Sequence, residues 1–329
     1  MKSVGEIQDV ELKLLAGTLP YIVKNGRADS TVQKYQAGWL GWLEWSQNKV
    51  EIQTRPAHPF YVALYLNHLF FVKGTKGSIT TAVYGIRWAH HSVGLSSPTD
   101  NPLVQLAQEG CIRLCGGKKI RKDAIPVEVI KSFVDSYSIE KPDAERMRFI
   151  TLCLTGFAGF LRIQELLNVQ LKHLTFREEC LQVFLPYTKT DQHRDGETVY
   201  IAKTGIKYCP VKHVLSFLQE AGLNKDVDTE AFLIPRLHKT KKGHRASKTK
   251  GISYTRINEV FHEHINSGSG EKNYGLHSLR SGGASAAAQN GVSDRLISKQ
   301  GRWASETARN GYIMDSKKTR LSVSLSLGL

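Results

Sequence analysis

The sequence has few of the features that mark secreted, membrane-spanning or disulfide-stabilised proteins. It contains five cysteines in 329 residues, an odd number without framework spacing, which fits a reducing compartment better than a disulfide scaffold. No apolar run reaches the length needed to span a membrane. The segment Met1–Glu6 turns polar at once and lacks the apolar core of a signal peptide. We therefore expect an intracellular protein.

Motifs for metal ions and nucleotides are also lacking. Cys111 and Cys115 form one close pair, but no second pair lies at zinc-finger spacing. His262 and His264 do not have the His-Glu-x-x-His spacing that places two imidazoles on one helix face. No Walker motif and no clear acidic metal cluster occur. We predict no metal site and no cofactor.

The chain does have length, apolar content and a large positive charge. A chain of 329 residues with 41% hydrophobic residues predicts two domains with real cores. The net charge of +15, from 45 Lys+Arg and 30 Asp+Glu, favours a polyanionic partner through counterion release. An ordinary basic soluble protein would have the same balance, so charge alone does not identify the partner.

Five dispersed side chains carry a more specific signal. His277 and Arg280 lie one helical turn apart and so share a helix face. Trp303 and Tyr312 follow, and Arg162 lies upstream at the end of an apolar run. Two guanidiniums, an imidazole, an indole N–H and a phenol are what a metal-free protein needs to attack a phosphodiester.

The chemistry assigns a role to each of these groups. Arg162 and Arg280 suit the charge that develops on the phosphate because a guanidinium stays charged and binds two oxygens in a planar fork. We expect Tyr312 to be the nucleophile and His277 to take its proton, since a phenol, with an ordinary pKa of about 10, is weak until a base acts. Trp303 is expected to donate its N–H to a phosphate oxygen.

In order and spacing, these residues resemble the tyrosine recombinase (phage integrase) family, most strongly over Pro126–Tyr312. Trp303, where most bacterial members have His, resembles the Cre-like branch. Thr188–Gln192 is similar to recombinases of eukaryotic DIRS-type mobile elements. The resemblance implies a site-specific recombinase or integrase that cuts and rejoins DNA through a 3′-phosphotyrosine, without metal or ATP.

Two further residues complete the predicted catalytic set. Lys189 matches the position of the family's general acid, which protonates the leaving 5′-oxygen; Lys203 and Lys207 are nearby alternatives. Glu165, one turn after Arg162, is interpreted as orienting that arginine rather than as a proton carrier.

The predicted fold is mainly α with a small antiparallel β-sheet. The resemblance implies a helical core-binding domain (1–115), a basic linker (116–125) and an α+β catalytic domain with a C-terminal exchange tail (126–329), which form a C-shaped clamp on DNA. In the first domain we predict a short helix, Glu6–Ala16, then a loop with Gly17, Pro20 and Gly26. A long helix, Thr31–Asn48, follows, capped by Ser30, with its tryptophans in a bundle core.

Four segments of the catalytic domain have distinct patterns. Ala144–Ala158 predicts a buried helix, and Leu181–Pro186 with Thr198–Ala202 predicts a β-hairpin. Arg236–Lys250, with seven Lys/Arg and no acid, predicts a basic loop that grips DNA, serves as a nuclear signal or is a solvated insertion. Alternating Leu/Val and Ser in Arg320–Leu327 predicts a strand or extended tail. By resemblance this tail docks into a neighbouring subunit; packing on its own domain is the alternative.

The resemblance also implies partners: double-stranded DNA and a homotetramer on two DNA sites joined by tail exchange, with no membrane. The expected location is the nucleus in a eukaryote or the cytoplasmic nucleoid in a bacterium. Basic residues are candidate phosphate contacts. They are Lys34, Lys73, Lys76 and Arg87 in the helical domain, Lys118, Lys119, Arg121 and Lys122 in the linker, and Lys241, Lys242 and Arg245 in the basic loop.

Two other functions fit the same residues. A type IB topoisomerase uses this chemistry to relax DNA as a monomer. A catalytically inactive DNA-binding remnant of a mobile element would keep the charge and the fold without cleavage.

Overall fold

The protein divides into two compact units, Met1–Lys119 and Ile120–Leu329, in a computed structural model. The structure describes residues 7–116, 122–137, 143–186, 195–241, 243–265 and 273–328. The division between the units falls inside the segment predicted as a linker. The predicted fold class, mainly helical with small antiparallel sheets, is confirmed. Within the described ranges, no helix combines the length and the apolar character required to cross a membrane.

Helices build the N-terminal unit around a tryptophan-centred core. They are α1 (Val10–Asn25), α2 (Asp29–Ser46), α3 (Pro59–Lys73), α4 (Lys76–His91) and α5 (Pro102–Leu114). Trp42 is fully buried, and its indole N–H donates to the Thr54 carbonyl at 3.0 Å. The prediction that the tryptophans of this segment form a bundle core is confirmed. Helices α2 and α4 can approach closely because Gly38 has no side chain. Any side chain at that position would overlap the backbone of Thr81.

The start of the chain differs from the prediction. Helix α1 continues through Gly17 and Pro20 to Asn25, so the predicted loop is wrong at those two residues and holds only at Gly26. The leucine-rich sequence before Pro20 favours helix, and that proline removes only one backbone donor. The cap of α2 is Ala28, in extended backbone, not Ser30, which lies in the first turn beside Asp29. An acidic residue in that turn is favourable to the helix dipole.

The C-terminal unit combines helices with two small sheets. Its helices are α6 (Val127–Tyr137), α7 (Ala144–Ala158), α8 (Ile163–Leu167), α9 (Pro210–Glu220), α10 (Tyr254–Ile265), α11 (His277–Gln289), α12 (Asp294–Gly301), α13 (Glu306–Asn310) and α14 (Lys317–Leu325). Its strands are β1 (Leu174–Phe176), β2 (Cys180–Leu185), β3 (Glu197–Ala202), β4 (Pro235–Thr240) and β5 (Gly243–Gly251). The predicted buried helix is α7, and the predicted hairpin is β2–β3 in an antiparallel β1-β2-β3 sheet; both predictions are confirmed.

Glycines of α11 let it lie directly against the end of α7. A side chain on Gly282 would overlap the carbonyl of Ile125, and one on Gly283 would overlap the carbonyl of Phe157. Both glycines are buried. This close approach brings the residues of α11 next to the segment that joins α7 to α8.

The basic segment predicted as a loop is a β-hairpin. Strands β4 and β5 pair antiparallel, with Leu237 opposite Ala246 and His238 opposite Arg245. Ala246 is buried in the main core, and Leu237 packs against that core. The loop prediction is therefore wrong, because basic residues on the exposed positions hide a short apolar face.

The predicted C-terminal strand is also wrong, because the segment forms helix α14. Ser316 caps it by accepting from the backbone N–H of Thr319 at 3.0 Å. A lone strand would need a partner for its backbone hydrogen bonds, whereas a helix satisfies its own. The apolar residues of α14 are exposed, including Leu321 (47%) and Leu325 (81%).

Candidate active site

The site is built around the turn between α7 and α8. Phe160 has a φ of 45°, a left-handed conformation that costs a non-glycine residue about 1–3 kcal/mol. Within the described ranges, one other non-glycine residue has a positive φ: Arg302, at 55°. Both residues lie in this site. Such strain persists only where surrounding contacts hold it, and here the contacts are ion pairs and hydrogen bonds.

Glu165 joins two arginines across the site. Its Oε2 accepts from the backbone N–H of Arg162 at 2.8 Å, and its Oε1 accepts from the Arg162 Nη1 at 2.6 Å. The same Oε2 accepts from the Arg302 Nη2 at 2.7 Å. Burial alone would raise the pKa of Glu165, but the charge of Arg302 and the hydrogen bonds from Arg162 hold it below its ordinary value. Glu165 is therefore a carboxylate, in the orienting position that the sequence predicts for it.

Arg280 lies at the centre of the cluster and is fully buried. Its Nη1 donates to the carbonyl of Phe160 and its Nη2 to the carbonyl of Gly301. Burial, then the charges of Arg162 and Arg302, lower the pKa of Arg280 to about 9. The guanidinium remains protonated at neutral pH, and its Nε–H has no partner within the described residues.

Trp303 and Tyr312 cover the Arg280 guanidinium. The carbon at its centre lies 4.6 Å from the Trp303 ring centroid and 5.0 Å from that of Tyr312. The two rings are 5.0 Å apart. Trp303 is 8% exposed, and its buried indole N–H has no partner among the described residues. A phenol beside a cation and an unused buried donor is an arrangement suited to an anionic ligand.

His277 is the first residue of α11, one turn before Arg280. His277 is exposed, whereas Arg280 is buried. This position lets the imidazole face solvent or a ligand at the mouth of the site. Lys189, the predicted general acid, lies outside the described residues. The structure thus brings together Arg162, Glu165, Arg280, Trp303 and Tyr312, with His277 at the edge.

Comparisons with known proteins find chains of similar sequence and similar fold. No family model matches the chain. An "integrase/recombinase xerD homolog" of Selenomonas ruminantium is 25% identical over 300 residues, which cover 88% of this chain and 83% of that protein. The fold matches a lambda integrase fragment crystallised as a dimer on a COC′ core site, with a TM-score of 0.58, 12% identity and coverage of 92% of this chain and 95% of the other. A lambda integrase tetramer bound to a Holliday junction gives a TM-score of 0.57, 12% identity and coverage of 92% and 76%. The chain therefore has the fold of these integrases and is similar in sequence to a protein named as a recombinase.

The more detailed assignments within the tyrosine recombinases are not tested by these similarities. Affinity with the Cre-like branch and a DIRS-type eukaryotic origin therefore stay predictions. So do the domain roles and the individual catalytic assignments.

Sequence reasoning assigned no role to one member of the cluster, Arg302. It follows α12 and is 6% exposed, and besides Glu165 it donates to the carbonyls of Gln300 at 2.9 Å and Phe160 at 3.2 Å. The available signal was its position next to Trp303, a predicted catalytic residue. A basic residue in a chain of net charge +15 gave no reason to expect burial.

The candidate metal ligands do not assemble into a site within the described ranges, where no group of three or more His, Cys, Asp and Glu could hold a metal ion. Cys111 is instead buried in the N-terminal core. His264 contacts the Tyr137 hydroxyl through its Nδ1 at 2.6 Å.

The predicted DNA contacts are dispersed. Arg87 donates to Thr99 at 3.1 Å and pairs with Asp100, so its charge is already partly engaged. Lys122 donates to the side chain of Asn273. Lys122 is exposed, as are the remaining described members, Lys34, Lys73, Lys76, Lys241 and Arg245. Lys118, Lys119, Arg121 and Lys242 lie outside the described residues.

Proposed function

We propose that this protein is a site-specific recombinase or integrase that cuts and rejoins double-stranded DNA through a 3′-phosphotyrosine. One observation carries the proposal: Tyr312 lies against the buried Arg280 guanidinium and the Trp303 indole, both of which have an N–H without a partner in the described chain. Buried donors without partners are costly, and a phosphate oxygen would satisfy them.

Charge supports the same ligand. Among the described residues, Glu165 forms ion pairs with Arg162 and Arg302, and Glu197 also acts electrostatically on Arg302; the three cations Arg162, Arg280 and Arg302 still leave a positive excess. The site is largely shielded from water, so this excess acts strongly on a developing negative charge. A phosphodiester in its pentavalent transition state has that charge on its non-bridging oxygens.

The proposed reaction has two transesterification steps. The Tyr312 oxygen forms a bond to the scissile phosphorus while the bond to the 5′-oxygen breaks; His277 takes the phenolic proton, and Lys189 donates a proton to the leaving oxygen. A 5′-hydroxyl from a partner duplex then attacks the phosphotyrosine, and the phenol is released. The phosphodiester's energy is kept in the covalent intermediate, so neither ATP nor a metal ion is required.

DNA and a tetramer are the proposed partners. The matched structures of lambda integrase are a dimer on a core site and a tetramer on a Holliday junction, and this chain covers most of each protein. We propose the same kind of assembly here, with the N-terminal unit as core-binding domain. The basic hairpin β4–β5 is the proposed additional phosphate contact, with nuclear targeting as its alternative role.

Tail exchange is the proposed link between subunits. The apolar residues of α14 are exposed on their own subunit. A cavity of about 540 Å³ beside Phe160, lined in part by Tyr200, Val292, Leu296 and Gln300, is the proposed acceptor for a neighbour's tail. Because Phe160 also belongs to the active site, docking there would connect one subunit's tail with another's catalytic residues. The proposed location is intracellular, in the nucleus of a eukaryote or the nucleoid of a bacterium.

A suicide substrate tests the proposal. The target is first selected from a random duplex library, then synthesised with a nick beside the cleavage position so that the released fragment diffuses away. The expected result is a covalent protein–DNA adduct in EDTA, abolished by Tyr312→Phe with DNA binding retained. Tyr254→Phe, an exposed tyrosine of the same unit, is the matched control and should leave the adduct intact.

The alternatives give different outcomes. Efficient relaxation of a supercoiled plasmid by a monomer, without a partner site, would favour the topoisomerase. DNA binding without any adduct would favour the inactive remnant. An adduct that survives Tyr312→Phe would place the nucleophile elsewhere.

A further inference from the structure

We infer that Arg302 is a positioning residue for DNA cleavage: it fixes the carboxylate that holds Arg162 and the carbonyl that holds Arg280. This inference rests on the proposed function. Both terminal nitrogens of Arg302 already donate within the protein, to the Glu165 carboxylate and to the carbonyls of Gln300 and Phe160. Its effect on the reaction passes through the two arginines that would contact the phosphate.

The first connection runs through Glu165. One oxygen of this carboxylate accepts from Arg302 at 2.7 Å, and the other accepts from Arg162 at 2.6 Å. Without Arg302, the carboxylate would have Arg162 as its remaining cationic partner in these contacts. Glu165 would then neutralise Arg162 more completely and would lose one of the three hydrogen bonds that fix its orientation.

The second connection runs through the backbone of Phe160. Its carbonyl accepts from the Arg302 Nη2 at 3.2 Å and from the Arg280 Nη1. Phe160 has a left-handed φ, and both guanidiniums donate to its carbonyl. Arg302 therefore stabilises the strained turn on which Arg280 is anchored.

The conformation of Arg302 itself explains how one residue can serve both connections. At a φ of 55° the chain reverses after α12, so the Arg302 side chain points back to Glu165. The next residue, Trp303, lies against Gly301, where any side chain would overlap the indole. In the segment Gly301–Trp303, the Arg302 guanidinium therefore donates to Glu165, and the Trp303 indole packs against Gly301.

The test compares Arg302→Gln, Arg302→Lys, Glu165→Gln and the double Gln variant in single-turnover cleavage of the suicide substrate. Glutamine and lysine fit a positive φ no better than arginine, so the backbone requirement is unchanged. Arg302→Gln should reduce the cleavage rate at saturating DNA on the order of 100-fold, as a misplaced group does, while DNA affinity stays at the wild-type value. Arg302→Lys should be intermediate, because one ammonium cannot replace a planar fork.

The double variant separates positioning from a general loss of structure. Because part of its effect passes through Glu165, Arg302→Gln should reduce the cleavage rate less in the Glu165→Gln background than in the wild type; fully independent effects would multiply. Thermal unfolding verifies that each variant is folded. The matched control is Arg256→Gln. Arg256 pairs with Glu259 on the surface of α10, so this variant should cleave DNA at the wild-type rate.

Three results would overturn the inference. A folded Arg302→Gln with wild-type cleavage would do so, and if that variant does not fold, a folded Arg302→Lys with wild-type cleavage would. Fully multiplicative defects in the double variant would also overturn it. With any of these three results the proposed function would survive, since the wild type would still form its Tyr312 adduct. Absence of that adduct in the wild type would instead remove the proposed function, and this inference with it.

Discussion

Replacing Trp303 with phenylalanine should separate stability from activity. The indole N–H of Trp303 is buried without a partner in the described chain, so the substitution removes an unsatisfied donor rather than a hydrogen bond. The ring is nearly fully buried, so some packing is lost as well. The two effects on the folded state have opposite signs.

The magnitudes follow from these contacts. An unsatisfied buried donor costs about 1–3 kcal/mol, and its removal is favourable by that amount. The smaller ring loses about 1–2 kcal/mol of burial and leaves a small cavity. The net change in the free energy of unfolding should lie within about 1 kcal/mol. A hydrogen bond to a charged phosphate contributes about 1.5–3 kcal/mol, so the cleavage rate should fall about 10- to 150-fold.

Two measurements test this prediction: denaturant unfolding, followed for the unit that contains the substitution, and single-turnover cleavage at saturating DNA. Trp42→Phe is the matched control. Trp42 is fully buried, and its indole N–H donates to the Thr54 carbonyl at 3.0 Å. This variant should lose about 2–3 kcal/mol of stability in the N-terminal unit and cleave at the wild-type rate while folded.

The reasoning fails if the two variants behave alike. A Trp303→Phe protein that is destabilised as much as Trp42→Phe but cleaves at the wild-type rate would make Trp303 a core residue only. Loss of DNA affinity without loss of the cleavage rate would assign the indole to binding in the ground state rather than to the transition state.

Three further predictions concern packing, pH and charge. Gly301→Ala should lower the free energy of unfolding by about 1–3 kcal/mol and slow cleavage, because the added methyl overlaps the Trp303 ring; thermal unfolding and the adduct assay measure both. The pKa of Glu165 is lowered in the folded protein, so its ionised form stabilises the fold. This stabilisation is present above the ordinary glutamate pKa and is lost as the pH falls through the pKa of the folded state. In denaturant unfolding, the stability of Glu165→Gln should therefore lack this contribution to the dependence on pH. Arg245→Ala should reduce the slope of log affinity against log salt by about 1, measured by fluorescence anisotropy.

Each of these predictions has a contrasting variant. Gly110→Ala, in α5 with open space around it, should stabilise the protein by about 0.5–1 kcal/mol. Equal acid sensitivity of wild type and Glu165→Gln would contradict the ionised, ion-paired carboxylate. Arg256→Gln should leave the salt slope unchanged, since its charge is paired with Glu259; an equal decrease in both variants would argue against a specific role for the hairpin.

Sequence patterns correctly predicted those helices and strands whose apolar residues pack into the core of their own unit. The bounds of α7 were predicted without error because its residues are buried on nearly every side. The β4–β5 hairpin was not predicted, since its apolar face is short and its exposed positions are basic. Helix α14 was mistaken for a strand because alternation of Leu and Ser fixes no conformation where no partner strand is available.

The site was predictable in composition but not in its supporting contacts. The order of arginine, histidine, tryptophan and tyrosine predicted a cluster, because this combination of groups has few other uses. The role of Arg302 depends on Glu165, which lies 137 positions earlier in the chain. No local pattern identifies an arginine whose partner is so distant, and overall basic charge conceals it further.

The atoms that anchor Arg280 are peptide oxygens, those of Phe160 and Gly301. Every amino acid offers the same oxygen, so divergence of neighbouring side chains leaves this attachment in place as long as the chain keeps its path. A library of variants designed to change the target sequence can therefore randomise many DNA-facing positions. Only segments 159–161 and 301–303 need to be held constant to keep the attachment of Arg280. The catalytic geometry and the choice of target would then be separately adjustable.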